Sequence, residues 1–274
     1  MTVYRFVLAA LAAVALVAVA PEANGKGGTP ITSCAQSVTT NAVLAQDLAC
    51  TGHGITVNAP KVTVDLNGHT LTGDGGTLDN GVWVLASKVT VKNGVLRGFG
   101  TGLLASGVSD HLSIVNVAAS GNSFSGFDLE DDSISVASSS ASANNGDGIV
   151  VFGNAFSIKS STASSNGGNG INIDGAEPKI TSVISSGNRS RGMVVIHATN
   201  GSVKSSSVSG NGDDGMVISG TAAIPRGTPS TPPGRSGSGP RPDSTSPRAR
   251  SRRTSQPPRS PDSGRRSRAL GCRS

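Results

Sequence analysis

Aromatic residues are scarce: the 274-residue chain has one Trp, one Tyr and six Phe, or 3 % aromatics. Such a composition indicates a narrow interior filled by Val, Ile and Leu rather than by large rings. The i, i+3, i+4 spacing of apolar residues that marks amphipathic helices is also missing from the repeated part of the chain. The missing helical spacing argues against a helical fold, and the shortage of large rings fits narrow coils.

The motifs of several common site classes do not occur either. There are three Cys residues, no CxxC and no His at ligand spacing, which speaks against a zinc or thiol redox centre. Phosphate-binding loops and a Ser-His-Asp order are absent as well. We therefore predict no resident metal. A calcium ion held by carboxylate oxygens is the one cofactor left open.

Charge is unevenly distributed along the chain, although the net charge of +6 indicates a basic protein. Residues 225–274 hold 12 Arg and 2 Asp, a balance of +10, whereas residues 1–224 hold 11 basic and 15 acidic residues, a balance of −4. The part preceding the tail is mildly acidic. Net charge therefore gives no reason to expect a nucleic-acid partner.

One short phrase, a Gly followed by apolar residues two apart, returns along the central part of the chain. Its last five glycines are separated by 22, 22, 22 and 23 residues, and three earlier copies have gaps of 27, 21 and 24. A fixed period of 20 to 50 residues is typical of a solenoid. The eight glycines are Gly54, Gly81, Gly102, Gly126, Gly148, Gly170, Gly192 and Gly215.

Apolar residues inside the repeat alternate at period 2, which predicts strands. Each unit holds two or three short strands and ends in a Ser/Asn/Gly-rich stretch, a size that suits one coil of a parallel β-helix. A leucine-rich repeat would need its Leu and Asn positions, and a propeller blade about 40 residues. We predict an all-β, single-stranded, right-handed parallel β-helix of about eight coils over residues 54–220.

The N-terminal region is predicted to direct export and then to cap the solenoid. Residues 1–24 combine Arg5 with an apolar run, as in a secretory signal peptide; the run is short for a membrane span. In an oxidising compartment Cys34 and Cys50 are expected to form a disulfide, worth about 3 kcal/mol for a loop of about 15 residues. This bridge would hold a cap formed by residues 25–53.

Residues 221–274 interrupt the repeat. They hold ten Pro and twelve Arg with few apolar residues, a composition that predicts disorder. Two interpretations remain open: a basic tail that adheres to an anionic cell surface, or the out-of-frame end of a GC-rich gene that once encoded further coils. Translation of the other reading frames downstream of codon 220 would distinguish them.

One stretch carries a family resemblance. Cys34 and Cys50, the Gly-Ile-Thr-Val phrase at Gly54, and Val-Thr-Val-Asp-Leu-Asn-Gly-His over residues 62–69 are followed by Gly-apolar-x-apolar repeats. This order resembles the NosD-like right-handed β-helix proteins of the pectate-lyase-like class, over about residues 31–220. The resemblance implies the fold and leaves function open, since this scaffold supports lyases, hydrolases, epimerases and adhesins. Asn67-Gly68 is expected to form a tight bend, with His69 in a structural role.

Strand alternation assigns the residues two and four positions after each Gly to the outer surface. With coils about 4.8 Å apart, these residues should form a flat ladder of about eight steps. The predicted outward pairs are Thr56/Asn58, Trp83/Leu85, Leu104/Ser106, Asp128/Glu130, Val150/Phe152, Asn172/Asp174, Val194/Ile196 and Val217/Ser219. We predict that six of them form a ligand-binding strip, called the strip below: Trp83, Asp128, Glu130, Phe152, Asn172 and Asp174.

Two functions follow from the strip. The first is an exported protein, secreted, periplasmic or at the cell surface, that binds a polysaccharide or another cell-envelope polymer without catalysis. The second is a polysaccharide lyase or glycoside hydrolase in which Asp128, Glu130 and Asp174 are catalytic or hold Ca²⁺.

A copper-maturation role would need grouped His, Cys and Met, which are scattered here. A truncated product without function also remains open.

Overall fold

The computed structural model describes residues 27–107 and 110–220, which form a parallel β-solenoid of about eight coils. The predicted signal segment and tail lie outside these residues. No membrane-spanning helix is present in the two described ranges. The strands, in chain order, are β1 (Thr29–Ile31), β2 (Gln36–Val38), β3 (Ala42–Leu44), β4 (Leu48–Ala49), β5 (Ile55–Val57), β6 (Thr63–Asp65), β7 (Thr70–Thr72), β8 (Asn80–Val84), β9 (Thr90–Arg97), β10 (Thr101–Ser106), β11 (Ser113–Ser120), β12 (Phe127–Glu130), β13 (Ser135–Ala137), β14 (Ser140–Ser142), β15 (Ile149–Phe152), β16 (Ser157–Lys159), β17 (Thr162–Ser164), β18 (Ile171–Asp174), β19 (Lys179–Thr181), β20 (Ile184–Ser186), β21 (Met193–Ala198), β22 (Ser202–Lys204), β23 (Ser207–Ser209) and β24 (Met216–Gly220).

Each coil contributes to three faces. Face 1 is a nine-stranded sheet in the order β2-β5-β8-β10-β12-β15-β18-β21-β24. The other fifteen strands form one sheet with two arms that share the long strands β9 and β11. Face 2 is the arm that ends in β13-β16-β19-β22, and face 3 is the arm that ends in β14-β17-β20-β23. All the strand pairs are parallel, as the repeat predicts.

Burial alternates along each short strand, so that every second side chain points into the interior of the solenoid. On face 1 the residues one and three positions after each repeat glycine are buried over most coils, as Phe127 and Leu129 are on β12. The middle residue of most three-residue strands on faces 2 and 3 is also buried, as in Ile158 on β16. Aliphatic residues thus fill most of the coil, as predicted, but three large rings, those of Phe99, Phe127 and Phe156, are also fully buried. The apolar area that they remove from water provides the main stabilising free energy.

Left-handed backbone conformations make the corners. The corner between faces 2 and 3 contains one residue with positive φ in successive coils, for example Ser138 at 49°, Ser160 at 49° and Ser182 at 54°. The predicted bend at Asn67-Gly68 is confirmed, with φ values of 53° and 82°. Small polar residues and Gly accept this conformation more readily than branched ones. The Ser, Asn and Gly residues of the repeat therefore allow the backbone to turn at the corners.

A column of buried asparagines follows the corner between faces 3 and 1. The side-chain amide of Asn144 donates to Oδ1 of Asn166 at 3.0 Å, and Asn166 donates in the same way to Asn188 at 2.9 Å. The backbone N–H of Asn144 also donates to Oδ1 of Asn166, at 3.1 Å. Each coil is thus hydrogen-bonded to the next through its interior. The full column is Asn122, Asn144, Asn166, Asn188 and Asn211.

The N-terminal coil contains the predicted disulfide. Cys34 and Cys50 are bonded, and their Cα atoms are 5.6 Å apart. The segment predicted as a cap, residues 25–53, holds β1 to β4, and β2 and β4 pair with β5 and β7 of the next coil. The stacking therefore begins before Gly54.

Candidate functional site

Face 1 aligns the outward residues in two columns. The first column runs Thr56, Trp83, Leu104, Asp128, Val150, Asn172, Val194 and Val217 through seven successive strand pairs. The second runs Ser106, Glu130, Phe152, Asp174 and Ile196. This register confirms the predicted ladder over its central coils, but three parts of the prediction are corrected. Val150 lies in register yet is buried. Asn58 and Leu85 follow the last paired residues of β5 and β8, and Ala198 pairs with Gly220 after an irregularity, so Ile196 has no partner at Ser219.

Asp128 of β12 is the most unusual carboxyl group of face 1. Its Oδ1 atom is buried and accepts no hydrogen bond from the described residues. Loss of hydration, together with the charges of Glu130 and Asp147, raises the pKa of Asp128 to about 6. A carboxyl group with this pKa is protonated in an appreciable fraction of molecules near neutral pH. Asp128 is therefore able to give or take a proton in that range.

Asp147 joins this acidic group from the corner that precedes β15. Its Oδ1 accepts the backbone N–H of Asn169 at 2.6 Å, and its Oδ2 accepts the side-chain amide of Asn172 at 3.0 Å. These bonds hold the Asp147 carboxylate beside the first column. The strip as predicted lacks Asp147. A signal was present, because the residue before each repeat glycine forms its own polar column in the order Ser125, Asp147, Asn169, Arg191 and Asp214.

Phe152 lies in the second column between two acidic residues. The residue is 46 % exposed, and its strand neighbours in register are Glu130 on one side and Asp174 on the other. Asp174 Oδ1 lies 2.5 Å from Nδ1 of His197, whose side chain is 78 % exposed. His197 is a second residue that the predicted strip omits. The second column therefore presents an aromatic ring flanked by two carboxyl groups.

Trp83 lies at the edge of the strip and is half-buried. Its Nε1 atom is buried without a hydrogen-bond acceptor among the described residues. The ring lies beside His53, with 5.4 Å between centroids and a tilt of 35°. His53 Nδ1 in turn accepts the backbone N–H of Asn80 at 3.0 Å. Trp83 and His53 thus pack together on β8 and the corner before β5, two strands from Asp128.

The three proposed catalytic carboxyl groups are not all brought together. Asp128 and Glu130 are neighbours on one side of β12, whereas Asp174 lies two strands from Glu130, with Phe152 between them. The nearest guanidinium group along the polar column, that of Arg191, lies 3.8 Å from Asp214. In the described parts of the chain, no three His, Cys, Asp or Glu residues are placed to hold one metal ion.

Comparison with known proteins supports the fold. The family model described as "Right handed beta helix region" matches residues 50–182 and 80–226. Among solved structures, the A-module of the mannuronan C-5 epimerase AlgE4 of Azotobacter vinelandii is 16 % identical, with a TM-score of 0.46 and 68 % of each chain covered. The pectate lyase Pel9A is also 16 % identical, with a TM-score of 0.40, over 74 % of this chain and 69 % of that one. No curated protein sequence matches the chain.

Proposed function

We propose a function for this chain, which belongs to the family of right-handed beta helix regions. It is an exported protein that binds a polysaccharide or another linear cell-envelope polymer along face 1. The coils repeat at about 4.8 Å, so a linear polymer laid across the strands meets a similar surface at each coil. The strip, extended by Asp147, is the proposed contact surface.

The observation that carries this proposal is the arrangement of Phe152 between Glu130 and Asp174. An exposed aromatic ring on a flat sheet offers its face to the C–H groups of a sugar ring. Carboxyl groups on both sides are hydrogen-bond acceptors for sugar hydroxyls. The second column thus combines stacking with polar contacts over three successive coils.

The charge of the strip favours a particular class of polymer. It contains three acidic residues, Asp128, Glu130 and Asp174, without Lys or Arg, and Asp147 adds a fourth carboxyl group. A polymer of uronic acids would bring like charges together and would be repelled. We therefore propose a neutral or amino-sugar polymer.

Export is supported by the disulfide. Disulfides persist in oxidising compartments and are rare in the cytosol. The Cys34–Cys50 bond at the first coil fits a secreted, periplasmic or cell-surface location.

Binding to insoluble and soluble polysaccharides tests the proposal. We expect Phe152→Ala to weaken binding about tenfold, because the variant loses the aromatic ring on which the sugar would stack; a tenfold change corresponds to about 1.4 kcal/mol. Phe124→Ala is the matched control, because Phe124 is 50 % exposed and lies outside face 1. Trp83→Ala tests the edge of the strip.

Equal binding by the wild type and Phe152→Ala would contradict the proposal, as would equal losses in the Phe152 and Phe124 variants. Absence of binding to every neutral and amino-sugar polymer would also contradict it.

A second candidate function is a polysaccharide lyase or glycoside hydrolase. It is favoured by Asp128, whose raised pKa suits proton transfer, and by Glu130 on the same side of β12. The two residues are separated by one position along the strand, so their Cα atoms are about 6.6 Å apart. Asp174 would bind the polymer rather than react, because His197 occupies its Oδ1 atom.

Assays for new reducing ends and for unsaturated products, with and without Ca²⁺, distinguish catalysis from binding. A catalytic protein should lose activity in Asp128→Asn and retain polymer binding. Binding without product in any condition would exclude the enzymatic function, and stimulation by Ca²⁺ would support a calcium-dependent lyase.

A further inference from the structure

Face 2 carries a basic patch that the strip does not explain. Its outward residues on the last four coils are Ser135, Ala137, Ser157, Lys159, Lys179, Thr181, Ser202 and Lys204. The three lysines are exposed, and none of them forms a salt bridge with a described residue. No carboxyl group occupies an outward position on these strands.

Register places the lysines close together. Lys159 and Lys204 lie in one column, separated by Thr181 of β19, and Lys179 stands two residues before Thr181 on the same strand. The Cα atoms of Lys159 and Lys204 are therefore about 10 Å apart, with Lys179 on the coil between them. An anion placed among these positive charges would be attracted by all three of them.

We propose that this patch binds a linear polymer of phosphodiesters without bases, such as a polyol phosphate, that runs along the solenoid axis. Ammonium groups act as point charges toward phosphate, whereas planar carboxylates are better matched by the fork of Arg, which the patch lacks. Ser157, Thr181 and Ser202 are the register neighbours of the lysines, and their hydroxyls are additional donors for phosphate oxygens.

The residues around the lysines speak against a nucleic acid. Single-stranded DNA and RNA are held by aromatic side chains on which successive bases stack. The eight outward residues of this patch are Ser, Thr, Ala and Lys only. A phosphodiester chain with no bases needs only charges and hydroxyls.

This inference goes beyond the proposed function, because it concerns a different face and an anionic polymer. The two proposals can fail separately: Phe152→Ala should not alter binding at face 2, and lysine substitutions should not alter binding at face 1.

The test measures binding of poly(glycerol phosphate) to the full chain by calorimetry or anisotropy over a range of salt concentrations. We expect Lys159→Gln with Lys204→Gln to lower affinity about 25-fold, roughly fivefold for each lysine. The slope of log K against log salt should decrease by about 1.4, or about 0.7 for each lost phosphate contact.

Lys61→Gln with Lys88→Gln is the matched control. Both of these lysines are exposed, and they lie on a corner rather than on face 2. The double substitution changes net charge by the same amount, and the Arg-rich residues 225–274 are common to all variants. Affinity and salt slope in this control should stay close to those of the wild type.

Three results would overturn the inference: equal losses in the two double variants, tighter binding of polygalacturonate than of poly(glycerol phosphate), or tighter binding of a single-stranded oligothymidylate. A fourth contradicting result could come from sedimentation measured at increasing protein concentration. Self-association that disappears in Lys159→Gln/Lys204→Gln would assign the patch to a second copy of the chain.

Discussion

At the scale of single residues, the buried asparagine column shows how the solenoid accommodates polar groups inside. Oδ1 of Asn166 accepts both the backbone and the side-chain N–H of Asn144, and its amide donates to Asn188 and to the carbonyl of Ala141. Because every donor has a partner, burial of the amide carries little net cost. Loss of one member leaves groups on two neighbouring coils unpaired.

We therefore expect Asn166→Ala to lower the free energy of unfolding by about 3 kcal/mol, since each buried group left unpaired costs about 1–3 kcal/mol. Asn145→Ala, at an exposed position one coil earlier, should change it by less than about 0.5 kcal/mol. Urea denaturation followed by circular dichroism measures both. A loss of similar size in the two variants would show that the column is not stabilising.

Asp128 has the opposite property, because its buried carboxyl oxygen has no partner. Its pKa lies at about 6 in the folded chain, above the ordinary 3.8, so the folded state holds the proton more tightly than the unfolded state. The stability that comes from protonated Asp128 is present below about pH 4 and is lost as the pH rises through about 6. Above that pH, ionised Asp128 lowers the stability of the fold.

Asp128→Asn should consequently gain stability relative to the wild type between pH 4 and pH 7. We expect a relative gain of about 1 kcal/mol, a value that allows for screening by solvent at this partly exposed group. Urea unfolding at each pH gives the difference. Asp110→Asn, the same substitution at an exposed position, is the control. A difference independent of pH for Asp128→Asn would contradict the raised pKa.

Residue-level predictions succeeded on strands and were incomplete at corners. Period-2 alternation determines which side of a sheet a strand residue occupies, so the outward positions of Glu130, Phe152 and Asp174 could be derived from spacing alone. Asp147 lies in a corner, where no such periodicity fixes the direction of a side chain. The contact between Trp83 and His53 joins a strand residue of one coil to a corner residue of the preceding coil, so strand alternation alone does not predict it.

At the scale of elements, close stacking of the repeat glycines sets the register. A Cβ atom built on Gly170 would meet Oγ of Ser185 and Nδ2 of Asn188, and would lie 2.7 Å from the carbonyl oxygen of Gly192. No side chain fits between these strands and the asparagine column. The repeat keeps glycine here for lack of space, so the spacing of these glycines predicted the coil length well.

Gly170→Ala is therefore expected to lower the free energy of unfolding by about 2–3 kcal/mol, the cost of overpacking in a well-filled interior. Gly27→Ala is the control, because nothing lies within 4 Å of the Cβ atom at that position. Urea denaturation of the two variants under the same conditions measures both changes in the free energy of unfolding. An unchanged Gly170→Ala variant would mean that the coils are less closely stacked there than described.

At the scale of the whole molecule, one backbone path creates faces of different chemistry. Face 1 carries Phe152 among carboxyl groups, whereas the last coils of face 2 carry lysines among hydroxyls. Both surfaces exist because residues 22 or 23 positions apart are stacked. The all-β solenoid could be predicted from that period, but the polymer that each face binds depends on side-chain chemistry that the period does not determine.

The stacking itself is tested most directly by the distance between spin labels at positions 106 and 196, which belong to the second column. Four strand spacings separate them along Ser106, Glu130, Phe152, Asp174 and Ile196, so their Cα atoms should be about 19 Å apart despite 90 residues of intervening chain. Pulsed electron paramagnetic resonance of a Ser106→Cys/Ile196→Cys/Cys272→Ser variant, in which only the two introduced cysteines are labelled and the Cys34–Cys50 disulfide stays intact, should give a distribution centred near that value. A broad distribution centred well above 30 Å would show that the coils do not stack, and neither face would then exist.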